Sequence, residues 1–176
     1  MAGATATPIS SRLEDLEGFL RELSALDEKS APRATFLHFA AKVSVPWCES
    51  HPEETRATNV DSTVAATRVF IEECRRRGVE PSVLSISSAH LYARNDSPIR
   101  ETDPDSPRSV YARSKLAAER SLLGLASELG FSVRITRVFG LVAPIQPDHY
   151  VLHALLRRAR EGDVKGIPGL ENERDY

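Results

Sequence analysis

The sequence predicts an α/β protein: a parallel sheet of about three strands with helices on both faces. Two observations carry this. Short, apolar, uncharged segments alternate with longer segments of helical periodicity, in the order helix, strand, helix, strand, helix, strand, helix. Glycines stand where two of the helices should stop, Gly78 and Gly130, each shortly before a strand segment. Such alternation implies right-handed crossovers and hence parallel strands. The composition agrees, since 41% hydrophobic and 27% charged residues exclude a disordered chain. A net charge of -2 gives no pull towards nucleic acid or an acidic membrane.

Residues 1–9 read as a flexible tail and 10–176 as a single domain. The tail is small and uncharged, without the basic start or apolar run of a signal peptide or membrane span. Ser11 and Glu14 have capping-box spacing, and Leu13, Leu16, Phe19, Leu20, Leu23 and Leu26 keep a helical period, so 11–26 is an amphipathic helix. Ala34 to Ala41 is the first strand, uncharged as a strand buried on both faces should be. A loop with Pro46 and Pro52 follows, then a long helix over 53–77. Ser82 to Ser88 is the second strand. Pro98, Pro104 and Pro107 make 93–108 an irregular loop. A helix covers 109–129, Phe131 to Val138 is the third strand, and a last helix spans 148–161. The basic runs Arg75-Arg76-Arg77 and Arg157-Arg158-Ala159-Arg160 sit late in helices, where cations complement the dipole. Cys48 and Cys74 form neither a CxxC pair nor a metal spacing, which points to reduced thiols and a cytoplasmic protein. His149 and His153 lie four apart but lack a third ligand, so no metal site is expected.

Three features carry chemistry. Tyr111 and Lys115 lie four apart on one helix and therefore on one face. A phenol is a poor base because its pKa is about 10, and a nearby ammonium favours the phenolate. Such a pair moves a proton to or from an alcohol while a hydride moves to or from a cofactor. Ser87 and Ser88 close the second strand, at the carboxyl end where parallel sheets hold ligands. His38-Phe39-Ala40-Ala41 closes the first, with small residues against which a flat ligand can lie.

These features, in this order, resemble the extended short-chain dehydrogenase/reductase family, which includes UDP-galactose 4-epimerase and the nucleotide-sugar dehydratases and reductases. The match runs from HFAA through Thr58-Asn59-Val60, Ser87-Ser88, Tyr111-x3-Lys115 and Arg137-Val138-Phe139. Flanking words agree: Pro107-Arg108-Ser109-Val110-Tyr111, Lys115-Leu116-Ala117-Ala118-Glu119, Ser88-Ala89-His90-Leu91-Tyr92, and Gly169 to Tyr176. The resemblance implies a partial Rossmann-like, doubly wound parallel sheet and an NAD(P)-dependent epimerase or reductase of a nucleotide sugar. It makes Ser88, Tyr111 and Lys115 catalytic. Phe39, Ala40, Ala41, Asn59, Ser87, Tyr111, Lys115 and Phe139 would line the NAD or NADP, and Ser88 and Arg174 would bind the substrate. It also implies a homodimer through the helices at 53–77 and 109–129.

The sequence departs from the family in three places. The opening strand, glycine-rich turn and helix that cradle a pyrophosphate have no counterpart, so about 60 residues of two βαβ units are expected to be missing. Gly162, Gly166 and Gly169 do not replace that turn, because they follow a helix and Pro168 interrupts them. Ala89 and His90 stand where dehydratases have an acidic pair, which disfavours 4,6-dehydration. Gly140 follows Phe139, where the family often has Asn. Binding of the cofactor by this chain alone is expected to be weak. The alternative reading is a non-catalytic binding or dimerisation module derived from the same family.

Overall fold

The structure is a computed structural model, and it describes residues 6–26, 32–93, 97–141, 143 and 151–163. In chain order the elements are α1 (Leu16–Ser24), β1 (Arg33–His38), α2 (Val45–Ser50), α3 (Pro52–Arg56) and a π-helical segment (Ala57–Ser62). They continue as α4 (Thr63–Arg76), β2 (Glu80–Ser88), a 3-10 turn (Ala89–Leu91), α5 (Val110–Leu129), β3 (Ser132–Val138) and α6 (Val151–Arg160). The strands form a three-stranded parallel sheet of order β1-β2-β3, with Arg33 opposite Glu80 and His38 opposite Ser85. The fold class is the one the alternation predicts. The chain divides into two compact units, residues 1–137 and 138–176.

The core of the first unit forms where the helices meet one face of the sheet. Phe36 of β1 packs its ring against Phe19 of α1 and Phe70 of α4, at centroid distances of 5.5 and 5.4 Å. Leu23, Ala66, Ile71, Cys74 and Val83 complete this apolar cluster. Burial in β1 therefore alternates. Phe36 and His38 turn towards the helices, whereas Thr35 and Leu37 turn away, and Leu37 is 47% exposed. This corrects the expectation of a strand buried on both faces: within residues 1–137 the helices that pack on the sheet cover one side only. On the open side a Thr35–Ser82 hydroxyl pair (2.7 Å) and an Arg33–Glu80 ion pair (2.8 Å) tie β1 to β2.

Other boundaries also shift for identifiable reasons. Ser11 does not cap α1. Its backbone N–H and hydroxyl both bond Glu22, and Glu14 instead accepts from Thr58 Oγ1 at 2.7 Å. Asp15 is the cap, accepting from the Gly18 N–H at 2.8 Å, so the helix starts at Leu16. The expected loop with Pro46 and Pro52 contains α2, because both prolines occupy first-turn positions where no N–H is needed. The expected long helix over 53–77 is interrupted by the π-helical segment. It ends as expected, with Gly78 at φ +70°. Gly130 likewise ends α5 in the left-handed region at φ +65°. Beyond complementing a helix dipole, Arg77 donates to the Leu23 and Leu26 carbonyls (both 3.1 Å) and to Glu73 (2.7 Å), fastening the end of α1 to α4.

In the second unit α6 carries His153, whose Nε2 lies 2.8 Å from the Ala143 carbonyl. Arg158 pairs with Asp163 at 3.0 Å. His149 lies outside the described residues, and no cluster of metal-ligating side chains occurs among those described.

Candidate active site

The site is built at the carboxyl ends of the strands and the start of α5. β2 continues to Ser88, three residues beyond the last pairing with β1. The chain then makes a 3-10 turn in which Ser88 Oγ accepts from the His90 N–H at 3.2 Å. Helix α5 starts nearby because Ser109 caps it, accepting from the Ala112 N–H at 3.0 Å. Glu49 adds a carboxylate at that end, accepting from the Val110 N–H at 2.7 Å. Tyr111 thus sits in the first turn, and Lys115 sits one turn further on the same face. The His90 ring meets the Tyr111 ring edge-on, with centroids 6.1 Å apart. Ser88, two residues before His90, is thereby brought to the tyrosine's end of the helix.

The electrostatics centre on Lys115, which is 5% exposed. Burial pushes its pKa below the ordinary lysine value, against the opposing attraction of Glu119. His38, at the end of β1, is 2% exposed and its pKa falls to about 4, first through burial and then through repulsion by Lys115. Its Nε2 lies 3.3 Å from Thr63 Oγ1. Ser87 Oγ and His38 Nδ1 are buried with no hydrogen-bond partner among the described residues.

His38 gives a pH prediction. Its folded pKa is lowered from 6.5 to about 4, so below 6.5 the unfolded chain binds the proton that the folded chain refuses. Stability should therefore fall as pH drops from about 6.5 to about 4, by up to about 3 kcal/mol from this group. Denaturant midpoints across that range should show the slope in the native chain and lose much of it in His38→Gln. An unchanged slope would remove His38 as its source.

Asn59 was expected to line the cofactor; the structure uses its amide internally. The side chain is 1% exposed. Its Oδ1 accepts from the Lys42 N–H (2.7 Å), and its Nδ2 donates to the Lys42 carbonyl (3.0 Å) and to Ser114 Oγ (2.9 Å). Ser114 in turn donates to the Tyr111 carbonyl at 2.7 Å. Asn59 is a clamp joining the loop after β1 to the backbone of Tyr111. That loop carries Phe39 (67% exposed), Ala40 and Ala41 at the end of the sheet. Phe139 follows β3 and belongs to the second unit, where it is 38% exposed. Arg174 lies outside the described residues.

Sequence reasoning gave no role to four residues that shape the site: Asp105, Ser114, Glu119 and Arg137. Arg137 is the one with a readable signal, because a charged residue on the helix-facing side of a strand demands a partner. The partners are Glu119 (2.7 Å) and Asp105 (2.8 Å), and the guanidinium also lies 4.7 Å from the Tyr92 ring centroid. Tyr92 and Asp105 pair across the base of the loop between β2 and α5.

Comparison with known proteins agrees with this architecture. A model of the NAD dependent epimerase/dehydratase family matches residues 7–176. The chain is 31% identical over 125 residues to GDP-6-deoxy-D-mannose reductase of Pseudomonas aeruginosa, an alignment covering 69% of the chain and 40% of that protein. It is 30% identical over 112 residues to dTDP-4-dehydrorhamnose reductase of Streptomyces griseus, covering 63% and 35%. Among solved structures, RMD from Pseudomonas aeruginosa complexed with NADPH superimposes with a TM-score of 0.74 at 26% identity, covering 92% of this chain and 56% of that one. MoeE5 in complex with UDP-glucose and NAD gives 0.65 at 28%, covering 87% and 48%. The chain therefore spans about half or less of the length of the proteins it matches.

Proposed function

Because the chain belongs to the NAD dependent epimerase/dehydratase family, we propose that it carries the acid/base portion of an NAD(P)-dependent epimerase or reductase of nucleotide sugars. The observation that carries this reading is a buried ammonium, Lys115, one helical turn from a phenol at the carboxyl end of a parallel sheet. The relatives named as reductases of GDP- and dTDP-linked sugars support the substrate class.

The residues present fit the nicotinamide end of such a cofactor. Ser87 Oγ is buried with its hydrogen-bonding capacity unspent among the described residues, and Phe39 and Ala40 offer an exposed, uncharged wall. Among the described residues no glycine-rich turn joins a strand to a helix, so this chain should grip the pyrophosphate poorly. Its affinity for NADH or NADPH should be weaker than micromolar, the level that corresponds to about 8 kcal/mol. When bound, the nicotinamide supplies or accepts the hydride at the sugar carbon. In the reducing direction Tyr111 gives its phenolic proton to the oxygen of the reacting carbonyl. Lys115 steadies the phenolate left behind, and the Ser88 hydroxyl donates a hydrogen bond to the same oxygen. In the oxidising direction the phenolate takes the proton from the alcohol.

The test is a single turnover of a nucleotide 4-keto sugar with millimolar NADPH deuterated at C4. The reading expects a product one mass unit heavier than with unlabelled NADPH. No label in any product would overturn it.

We extend the proposal to a cytoplasmic homodimer packed through the helices within 53–77 and 109–129. Helix α5 leaves Leu123 53% exposed, and both cysteines are buried free thiols. Light scattering showing a monomer at all concentrations would refute the dimer. No helix among the described residues is long and apolar enough to cross a membrane.

A further inference from the structure

We propose that Arg137 is a positioning residue of the Tyr111–Lys115 pair: by occupying both oxygens of Glu119, it keeps that carboxylate off Lys115 and leaves the ammonium to Tyr111. The inference rests on the acid/base reading of Tyr111 and Lys115 given above. Its basis is a competition built into α5. Tyr111, Lys115 and Glu119 follow one another at four-residue intervals, so Lys115 stands between a phenol one turn before it and a carboxylate one turn after it.

Both charged groups are nearly buried, Lys115 at 5% and Glu119 at 7% exposure. Opposite charges attract more strongly there than in water. An unengaged Glu119 would be the preferred partner of Lys115. Arg137 removes that option. Its Nε donates to Glu119 Oε1 at 3.0 Å and its Nη2 to Oε2 at 2.7 Å, a two-pronged grip that uses the planar guanidinium. Arg137 is itself fixed from a third direction, since its Nη1 lies 2.8 Å from Asp105 Oδ1 and its guanidinium lies over Tyr92. Arg120 reaches Asp105 from the far side at 3.8 Å. The titratable and charged groups around the pair are thus His38 from β1, Glu119 from α5 itself, Arg137 from β3 and Asp105 from the loop. Burial holds the Lys115 pKa below the ordinary value while Glu119, gripped by Arg137, still attracts the ammonium from one turn away.

The experiment uses the 176-residue chain with lysine labelled at 13Cε. The chain has four lysines, and the Lys115 signal is the one lost in Lys115→Arg. In the native chain Lys115 should titrate below the ordinary lysine value of about 10.4. In Arg137→Met its proton affinity should rise about tenfold, or about one pH unit, as the ammonium turns to Glu119. In Arg137→Met/Glu119→Gln, which leaves no unpaired carboxylate at 119, the titration should return to the native position or below it. A purely structural role for Arg137 would not produce that return. Should Arg137→Met fail to fold, Arg137→Lys keeps a cation but loses the fork, and an intermediate rise is expected. A Lys115 titration unmoved by the single substitutions, or left at the single-variant value in the double variant, overturns the proposal. The readout needs no turnover, so failure of the deuteride experiment sinks the functional reading without deciding this one.

Discussion

Replacing Tyr111 by phenylalanine is expected to lower the single-turnover rate of deuteride transfer by 10²- to 10⁴-fold, the usual contribution of a positioned general acid. The substitution removes one hydroxyl from a half-buried ring and keeps the edge-on contact with His90. The fold should therefore stand, and melting of the variant should follow the native chain closely. The loss is expected on the chemical step, because the departing group is the proposed proton donor and the packing surface remains. A Tyr111→Phe chain with the native rate would remove Tyr111 from the mechanism. So would a loss of rate accompanied by an equal loss of folded protein, since that would make the effect structural.

Asn59→Ala is expected to have the largest effect on stability, about 2–4 kcal/mol. The side chain makes three hydrogen bonds while 1% exposed, and its loss strands the Lys42 N–H without a partner. The consequence reaches the site by two routes. The loop carrying Phe39 to Ala41 loses its anchor, and Ser114, which holds the Tyr111 carbonyl, loses its donor. Asn59→Ala should thus lower both the denaturation midpoint and the transfer rate, whereas Tyr111→Phe lowers only the rate. A native midpoint in Asn59→Ala would contradict the clamp.

Periodicity made the strands and long helices legible. Leu13, Leu16, Phe19 and Leu23 recur at helix spacing and meet in one apolar cluster, and Gly78 and Gly130 mark stops that the backbone uses at positive φ. Local competition was not legible. Ser11 and Glu14 have capping-box spacing, yet Ser11 bonds Glu22 of α1 itself, and Glu14 bonds Thr58, which lies close only once α1 packs on the helix region after β1. The uncharged composition of β1 promised burial on two sides, but composition cannot say which side is covered; Leu37 is exposed because the packed helices of this unit share the other face. At the site, Tyr111 and Lys115 were readable because one helix sets their spacing. The place of Asn59 in the motif order is visible along the chain, whereas its three bonds to Lys42 and Ser114 are tertiary. Glu119 and Arg137, 18 residues apart, come together only through the α5–β3 connection.

The central claim is that this chain holds the nicotinamide and sugar end of a dinucleotide-dependent site. The most direct measurement compares nicotinamide mononucleotide with adenosine monophosphate as ligands of the 15N-labelled chain. The account predicts that the nicotinamide nucleotide shifts the amide signals of residues at the ends of β1 and β2 and in the first turns of α5, Ser87, Ser88, Tyr111 and Lys115 among them. It predicts that the adenosine nucleotide leaves these signals in place. Equal shifts from both nucleotides, or shifts from the adenosine nucleotide alone, would contradict it.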